Sequence, residues 1–506
     1  MAASAQLGPM GIANEIAAST ARAAAARQAA SAAGIDLAWP SEVVVVRGED
    51  RADLICSIDA LLLQISRQPN LRLVDVAFTL NKALLPEGAR LAIVATDLSD
   101  LARRLALAKE SLADPNTKRL RDPSGAYFET EPLSKRGDVA LLFPGEGTQY
   151  LGMLDDLPAH YPEVSERLAL FDGYVGPDGE DHDSVSRFFA PPASFSENRK
   201  SHLERRLRQL DNALFAVLAA DWAVLSFLQE LQLNVAAVAG HSAGELAALV
   251  AAGSIDVSTH NQSIIEGMRA LGDAEDHSQP AEATLLATSA SRETLEKAIG
   301  GIAGAIATGP DQNIFVAMDN CPHQSVVVGL SAPVEKLEAA LKRDRVVCER
   351  LPFSRPYHTP LFAPFMGPLT EMFDTVDFLS PQTRIYSCTT GRPFPNDAEA
   401  IRQGAMSHWT SPVEFRRMIQ NMHADGVRIF IEAGPRGVLS AFVQDILRGQ
   451  EFVALPVDLP RRSALTQINH LLAQLAVHQA QFNFDLLYRR RVEQVELGET
   501  KPGSLA

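Results

Sequence analysis

The sequence predicts an α/β protein in which a smaller βαββαβ unit is inserted into the main domain. Short apolar runs rich in valine and alanine alternate with segments of helical periodicity, which is typical of α/β folds. Between residues 283 and 351 the order of predicted elements becomes β-α-β-β-α-β, the order of a ferredoxin-like unit. A polar stretch with several prolines precedes residue 135 and separates a small α/β unit from the rest.

A length of 506 residues predicts two or three domains. The first residues form an alanine-rich stretch without a continuous apolar core, so we expect a frayed tail rather than a secretory signal. We divide the chain into a tail (1–40), a small α/β adapter (41–135), a main domain (136–455) with its insertion at 283–351, and a C-terminal linker and tail (456–506).

Composition excludes several classes of function. A net charge of −16 argues against nucleic-acid binding, because binding to phosphates needs a basic face. The sequence contains no run of about 18 uncharged apolar residues, so we expect no membrane span. The four cysteines are scattered without paired spacing, which favours a reduced, cytoplasmic protein. Cys321 and His323 lack partner ligands at suitable spacing, so we expect no metal site.

The periodicity of apolar residues predicts the individual elements. In the adapter we expect strands at 42–47 and 90–95 and helices at 51–68, 73–83 and 97–112. In the main domain we expect strands at 139–143, 235–239 and 427–431, a helix at 245–252, and a helix that starts in a capping box at 411–414. In the C-terminal segment we expect a helix at 465–479 and a solvated basic end at 489–491.

The most informative motif is Gly-His-Ser-Ala-Gly-Glu at residues 240–245, between a predicted strand and a predicted helix. Glycines on both sides of Ser242 allow a sharp strand-to-helix turn that exposes the hydroxyl group. The free N–H groups at the start of the helix favour negative charge there, and so favour an oxyanion next to the serine. The pattern indicates a nucleophile; a purely structural turn is the alternative.

A second glycine-rich turn follows the strand at 139–143 and reads Pro-Gly-Glu-Gly-Thr-Gln over residues 144–149. It contains neither Gly-x-Gly-x-x-Gly nor a Walker lysine, so a phosphate site is not favoured. A turn that directs backbone N–H groups at an oxyanion fits better.

Several segments together resemble the acyltransferase of polyketide and fatty-acid synthases, the malonyl-CoA:acyl-carrier-protein transacylase family. Residues 240–245 match its Gly-His-Ser-x-Gly-Glu at every fixed position, and residues 143–149 are similar to its Phe-Pro-Gly-Gln-Gly-Ser-Gln. Further similar segments lie at 213–217, 356–360 and 432–435. Residues 41–130 resemble the adapter that precedes this domain in modular and polyunsaturated-fatty-acid-type synthases, and 455–495 the linker that follows it. The resemblance implies an α/β-hydrolase-like core with the ferredoxin-like insertion.

The resemblance also implies a mechanism. Ser242 would be the nucleophile and His358 its base, with an oxyanion hole formed by the backbone N–H groups of Glu146 and Ala243. The acyl group would pass from acyl-CoA to the phosphopantetheine thiol of an acyl carrier protein. The resemblance implies no bound cofactor, and a ketosynthase is a further candidate partner that would dock on the adapter.

The chain departs from the family in residues of the substrate site. Members that use malonyl units hold its carboxylate with an arginine 25 residues after the serine, and Gly267 occupies that position here. We therefore hypothesise an acyl group without a free carboxylate; a local insertion that brings Arg269 into the site is the alternative. The other candidate substrate-site residues are Gln149, Asp211, His241 and Tyr357.

Two other functions use the same sequence features. An editing acyl hydrolase would use the same serine and histidine and let water release the acyl group. A non-catalytic scaffold would use the adapter to dock synthase components, but it would not need Ser242 or His358.

Overall fold

The computed structural model describes residues 39–68, 70–172, 185–191, 197–277, 283–302, 313–351, 355–489 and 491. The alanine-rich tail predicted for residues 1–40 therefore lies almost wholly outside the described residues. The chain divides into two compact units, the first made of Met1–Glu131, Glu230–Gln232 and Leu472–Ala506 and the second of Pro132–Gln229 and Leu233–Leu471. The predicted domain boundaries stay a prediction.

The first unit contains a four-stranded antiparallel sheet of order β1-β2-β4-β3. Its strands are β1 (Glu42–Gly48), β2 (Ala89–Ala95), β3 (Arg119–Asp122) and β4 (Ala126–Glu129), and its helices are α1 (Arg51–Arg67), α2 (Leu73–Lys82) and α3 (Leu98–Ala113). Asp50 and Asp97 cap α1 and α3 by accepting a hydrogen bond from the backbone three residues on. The predicted strands and helices of this region are observed, whereas the β3–β4 hairpin lies in a stretch we expected to be irregular.

The basic end at 489–491 is not wholly solvated, and this expectation was wrong for Arg491. The Arg491 guanidinium pairs with the carboxylate of Glu42 on β1, and only 6% of either side chain is exposed. It also lies 3.8 Å from the ring centre of Trp39. The C-terminal segment is thus tied to the first strand of its own unit.

The second unit is built on a five-stranded parallel sheet of order β11-β6-β5-β12-β13. These strands are β5 (Asp138–Phe143), β6 (Ala237–Gly240), β11 (Arg384–Tyr386), β12 (Val427–Glu432) and β13 (Val453–Pro456). The carboxyl ends of β5 and β6 lie side by side, with Phe143 opposite Gly240. β6 lies on one side of β5 and β12 on the other, so the strand order reverses at β5. In α/β proteins, ligands bind beyond the carboxyl ends of the strands at such a point.

Helices cover this sheet. In the second unit, the helices outside the insertion are α4 (Leu157–His160), α5 (Pro162–Asp172), α6 (Ser186–Phe189), α7 (Glu197–Leu207), α8 (Leu210–Glu230), α9 (Gly244–Ala251), α10 (Val257–His277), α13 (Gly367–Thr375), α14 (Ala398–Ser407), α15 (Phe415–Ala424) and α16 (Val438–Ile446), and α17 (Ala464–Val477) begins there. The last helix, α18 (Asp485–Tyr488), belongs to the first unit. Within α8, residues Asn212–Glu230 are long and apolar enough to cross a membrane, but 89% of that stretch is buried inside the protein. A core helix of a globular domain explains it.

The insertion forms a separate antiparallel sheet of order β10-β7-β9-β8. Its elements are β7 (Ala283–Thr288), α11 (Arg292–Gly300), β8 (Ile314–Cys321), β9 (Gln324–Leu330), α12 (Ser331–Arg343) and β10 (Cys348–Arg350). Leu286, Val327 and Leu337 belong to the buried core of this unit. The predicted ferredoxin-like βαββαβ insertion is confirmed.

The predicted capping box at 411–414 was wrong. The helix begins at Phe415, and the Glu414 side chain does not cap it. Val413 instead pairs with Met318 of β8, and the Glu414 carboxylate lies 2.5 Å from the Arg292 guanidinium on α11. Contacts to the insertion have replaced the local cap.

Candidate active site

The candidate nucleophile lies in a tight turn between β6 and α9. Ser242 has a φ of 54°, in the left-handed region that a non-glycine residue rarely adopts. A Cβ atom at Gly240 would lie 2.2 Å from the backbone nitrogen of Glu245, and one at Gly244 would lie 2.2 Å from the carbonyl oxygen of Phe143. Only glycine fits at these two positions, which explains the Gly-x-Ser-x-Gly pattern.

The structure brings the two predicted catalytic residues together. The Oγ of Ser242 lies 2.7 Å from the Nε2 of His358. The Nδ1–H group of His358 donates to the main-chain carbonyl of His408 at 3.1 Å, which leaves Nε2 as an acceptor for the serine hydroxyl. In the described part of the chain no carboxylate bonds to His358, so a main-chain carbonyl orients the ring.

Burial controls the charge of this histidine. His358 is completely buried, and this burial holds the pKa of its imidazole well below the ordinary value. The neighbouring His408 and His241 lower that pKa further. A neutral imidazole is the form that can accept the proton of Ser242.

The glycine-rich turn after β5 packs directly against the serine turn. A Cβ atom at Gly145 would lie 2.5 Å from the carbonyl oxygen of His241 and 3.2 Å from the backbone nitrogen of Ala243. The backbone of residues 145 and 146 therefore lies next to the start of α9. This arrangement fits an oxyanion hole formed by the N–H groups of Ala243 and Glu146.

Glu146 places a carboxyl group beside this oxyanion site. Burial raises the pKa of Glu146 to about 8, and the nearby Arg355 guanidinium offsets part of that rise. Within the described residues, its Oε1 atom has no hydrogen-bond partner. At neutral pH the group is mostly protonated, so it does not oppose an oxyanion as a carboxylate would.

Gln149, a predicted substrate contact, forms a hydrogen bond within the glycine-rich loop. Its Oε1 atom accepts from the backbone N–H of Gly147 at 2.8 Å, and its side chain is buried. The hydroxyl of Thr148 donates to the Gly145 carbonyl at 2.9 Å. Arg436 donates to the carbonyl oxygens of Thr148 and Gln149. These bonds fix the turn that presents the Glu146 N–H.

His241 connects the serine turn to the ferredoxin-like insertion. Its Nε2 atom lies 2.6 Å from the Oδ1 of Asn320 on β8. The Nδ2 of Asn320 donates to Gln324, so its Oδ1 accepts and His241 is the donor. Burial lowers the pKa of His241, which keeps the ring neutral.

Tyr357 lies beside the candidate base and is buried against an aromatic cluster. Its ring centre is 4.6 Å from that of Phe362 and 5.9 Å from that of Trp409. Its hydroxyl accepts a hydrogen bond from Arg355 at 3.0 Å. Arg355 thus connects Tyr357 electrostatically with Glu146, a role that no sequence pattern indicated.

The remaining predicted substrate residues have different environments. Gly267 on α10 packs against α13, and a Cβ atom there would lie 2.5 Å from the Cβ of Met372. No arginine side chain fits at position 267 in this packing. Arg269 lies two residues further along the same helix and is half-buried. Asp211 is the second residue of α8, and its side chain lies outside the described part of the structure.

A buried cluster behind the serine was not predicted from the sequence. One ligand atom each of Glu245, Cys388 and His408 lies within 4.8 Å of the others, which is close enough for a metal ion. The hydrogen bonds of this cluster account for most of its polar atoms: Cys388 N–H donates to Glu245 at 2.8 Å, and the imidazole Nδ1 of His408 lies 3.4 Å from the Cys388 sulfur. We therefore describe it as a hydrogen-bonded support of the serine turn. His408 lies in no motif that would have identified it.

A serine on a strand-to-helix turn, bonded to a buried neutral histidine beside two glycine-rich turns, is an arrangement that can carry out acyl transfer. The family model described as "Acyl transferase domain" matches residues 140–480. The chain belongs to this family of acyltransferases.

Relatives of known identity support this family assignment. The chain is 26% identical over 368 residues to a polyunsaturated fatty acid synthase polypeptide of Thraustochytrium sp., covering 71% of this chain and 12% of that polypeptide. It is 28% identical over 319 residues to the malonyl CoA-acyl carrier protein transacylase of Bacillus subtilis, covering 63% of this chain and 93% of that enzyme. The chain thus spans a small part of the synthase polypeptide and nearly all of the transacylase.

Solved structures show the same fold. The acyl transferase domain of ZmaA superposes with a TM-score of 0.73 at 18% identity, covering 91% of this chain and 99% of that domain. The malonyl-CoA:acyl carrier protein transacylase of Xanthomonas oryzae superposes with a TM-score of 0.54 at 26% identity, covering 64% of this chain and 95% of that one.

Proposed function

We propose that the protein moves an acyl group from acyl-CoA to the phosphopantetheine thiol of an acyl carrier protein through an ester on Ser242. The single observation that supports this most is the 2.7 Å contact between Ser242 Oγ and His358 Nε2 at the edge of the parallel sheet. The Bacillus subtilis relative is a malonyl CoA-acyl carrier protein transacylase, which supports that choice of acceptor. We also propose a cytoplasmic location, because all four cysteines are free.

In the first half-reaction, Ser242 gives its proton to Nε2 of His358 while Oγ attacks the thioester carbonyl. The N–H groups of Ala243 and Glu146 stabilise the oxyanion of the tetrahedral intermediate. The C–S bond then breaks, and the CoA sulfur leaves with the proton from His358. In the second half-reaction the carrier thiol gives its proton to His358 and attacks the ester, and Ser242 regains a proton as it leaves.

For the acyl group, we propose one without a free carboxylate. The tight packing of Gly267 against Met372 supports this, because no arginine can extend from position 267. Burying a carboxylate without a bidentate cation is unfavourable. Under the alternative, Arg269 would hold the carboxylate.

Intact-protein mass after incubation with acetyl-, malonyl-, methylmalonyl-, medium- and long-chain acyl-CoA tests both parts. We expect a stable mass increase from a bound acyl group, and we expect it to be absent in Ser242→Ala. The bound acyl group should then transfer to an acyl carrier protein. Malonyl labelling that is lost in Arg269→Ala would overturn the proposal for the acyl group. Steady CoA release without a stable label would instead indicate the hydrolase.

The largest part of the first unit, Met1–Glu131, precedes the family match, which starts at residue 140. We propose that it docks a ketosynthase, in keeping with its resemblance to synthase adapters. Co-purification of a ketosynthase with the full chain, and its loss on substitution of exposed residues of this unit, would test the proposal.

A further inference from the structure

The segment from His408 to Thr410 forms a short 3₁₀ helix that contacts both members of the candidate dyad. The Nε2–H of His408 donates to the carbonyl oxygen of Ser242 at 3.0 Å. The His408 carbonyl accepts from Nδ1–H of His358, and the Trp409 carbonyl accepts from the backbone N–H of His358 at 2.9 Å. One residue therefore bonds to the serine through its side chain and to the histidine through its main chain.

Both dyad residues need such support. Ser242 and His358 have φ values of 54° and 61°, and this left-handed conformation costs a non-glycine residue roughly 1–2 kcal/mol. A strained conformation persists only where its surroundings impose it. The hydrogen bonds to residues 408 and 409 help to hold Ser242 and His358 in this conformation.

The bond to the Ser242 carbonyl has a consequence for the oxyanion hole. The carbonyl of Ser242 and the N–H of Ala243 belong to one planar trans peptide, so they point in opposite directions. The His408 N–H, together with the backbone N–H of Glu245 that donates to the same carbonyl at 2.9 Å, holds the carbonyl on one side and thereby directs the Ala243 N–H to the other side. That N–H is the oxyanion donor proposed above.

The surroundings of His408 keep the imidazole in the form that can make this bond. The ring is 2% exposed, and burial lowers its pKa to about 4, so it is neutral at working pH. The Cys388 sulfur lies 3.4 Å and the Thr389 hydroxyl 3.3 Å from Nδ1, and each can donate to it. Nδ1 is then the acceptor, and the proton resides on Nε2 facing Ser242.

We propose that the His408 side chain is a positioning residue that orients the Ser242–Ala243 peptide, and with it the oxyanion donor. This rests on the proposed roles of Ser242 and His358. No substrate contact is involved: the imidazole acts from behind the turn, through the peptide plane.

The test compares His408→Gln with His408→Met in the full chain. The two side chains are similar in length and shape, and only glutamine keeps an N–H near the place of Nε2. Because loss of one oxyanion donor costs about 10²–10³ in kcat, we expect His408→Met to lower kcat for acyl transfer by about 10²-fold with KM nearly unchanged. His408→Gln is expected to recover most of that loss. Labelling of Ser242 by a fluorophosphonate, which needs no acyl-CoA site, is expected to fall in parallel in the methionine variant.

Equal rates for the glutamine and methionine variants, or wild-type kcat in the methionine variant, would overturn the proposal. Circular dichroism and melting temperature establish that each variant is folded. If His408→Met does not fold, His408→Asn replaces it in the test. The asparagine side chain is too short for its amide to reach the Ser242 carbonyl, so this variant is also expected to have a low kcat. Acyl label that persists in Ser242→Ala would refute the proposed function itself, whatever the His408 variants do.

Discussion

The Oγ of Ser242 lies 2.7 Å from the Nε2 of His358, although 116 residues separate them in the chain. That interval contains the whole ferredoxin-like insertion, which forms its own antiparallel sheet. The parallel sheet and the helices on it bring the two residues together. The pairing is therefore a property of the second unit's fold and not of either motif alone.

The first prediction concerns the acidic side of the pH profile. Burial holds the pKa of His358 well below the ordinary 6.5, so the imidazole stays neutral and able to accept a proton below that pH. We expect the rate of Ser242 acylation to fall only at a pH clearly below 6.5 as the imidazole becomes protonated. Single-turnover acylation measured against pH tests this. A midpoint at or above 6.5 would contradict it.

The second prediction concerns the glycine after the serine. In Gly244→Ala the new Cβ would meet the backbone carbonyl of Phe143, which cannot move without disturbing β5. Overpacking of this kind costs about 1–3 kcal/mol, so we expect a lower melting temperature and a large loss of acylation. Thermal unfolding and mass labelling measure the two effects.

Gly367→Ala is the matched control. Gly367 begins α13, and nothing lies within 4 Å of the place of its Cβ. The substitution is expected to leave acylation unchanged and stability equal or slightly higher, since alanine favours helices by up to about 1 kcal/mol over glycine. Similar losses in both variants would show that the clash at Gly244 is not the cause.

The sequence was sufficient to predict the elements that local chemistry determines. The two glycines around Ser242 are required because an added Cβ at either position would lie 2.2 Å from a backbone atom, so their spacing is visible as a motif. The strands and helices of the insertion follow from their periodicity and are observed in the predicted order. Ser242 and His358 were paired through the family resemblance, and the structure places them in contact.

The parts that could not be predicted depend on contacts between distant segments. His408 supports Ser242 across 166 positions and has no local pattern around it. The residues at 411–414 have the composition of a helix cap, but pairing of Val413 with Met318 and the Glu414–Arg292 ion pair prevail. The sequence shows that position 267 is glycine where the family has an arginine. The packing of Gly267 against Met372 is visible only in the structure.

A third prediction concerns the ion pair of the first unit. Glu42 and Arg491 are both buried, and removing one partner leaves an uncompensated charge, which costs about 3–5 kcal/mol. Arg491→Ala should therefore lower the free energy of unfolding by that amount, partly through lost stacking on Trp39. The double variant Glu42→Gln with Arg491→Met should be more stable than Arg491→Ala alone. Chemical denaturation of the wild type, Arg491→Ala and the double variant measures these stabilities. An unchanged midpoint for Arg491→Ala would show that the ion pair contributes nothing to stability.

The last prediction concerns the alkaline side of the pH profile and Glu146. Because burial raises the pKa of its carboxyl to about 8, the group is neutral below that pH and becomes a carboxylate above it. A negative charge next to the oxyanion hole destabilises the tetrahedral intermediate, so acylation should slow as the pH rises through about 8. Glu146→Gln keeps the backbone N–H and a neutral side chain of the same shape, and should therefore remove the alkaline decline while leaving the neutral rate nearly unchanged. Single-turnover acylation of both proteins from neutral to alkaline pH, corrected for hydrolysis of the thioester, measures the effect. If the glutamine variant declines in parallel with the wild type, another group titrates there, and the Glu146 carboxyl does not face the oxyanion.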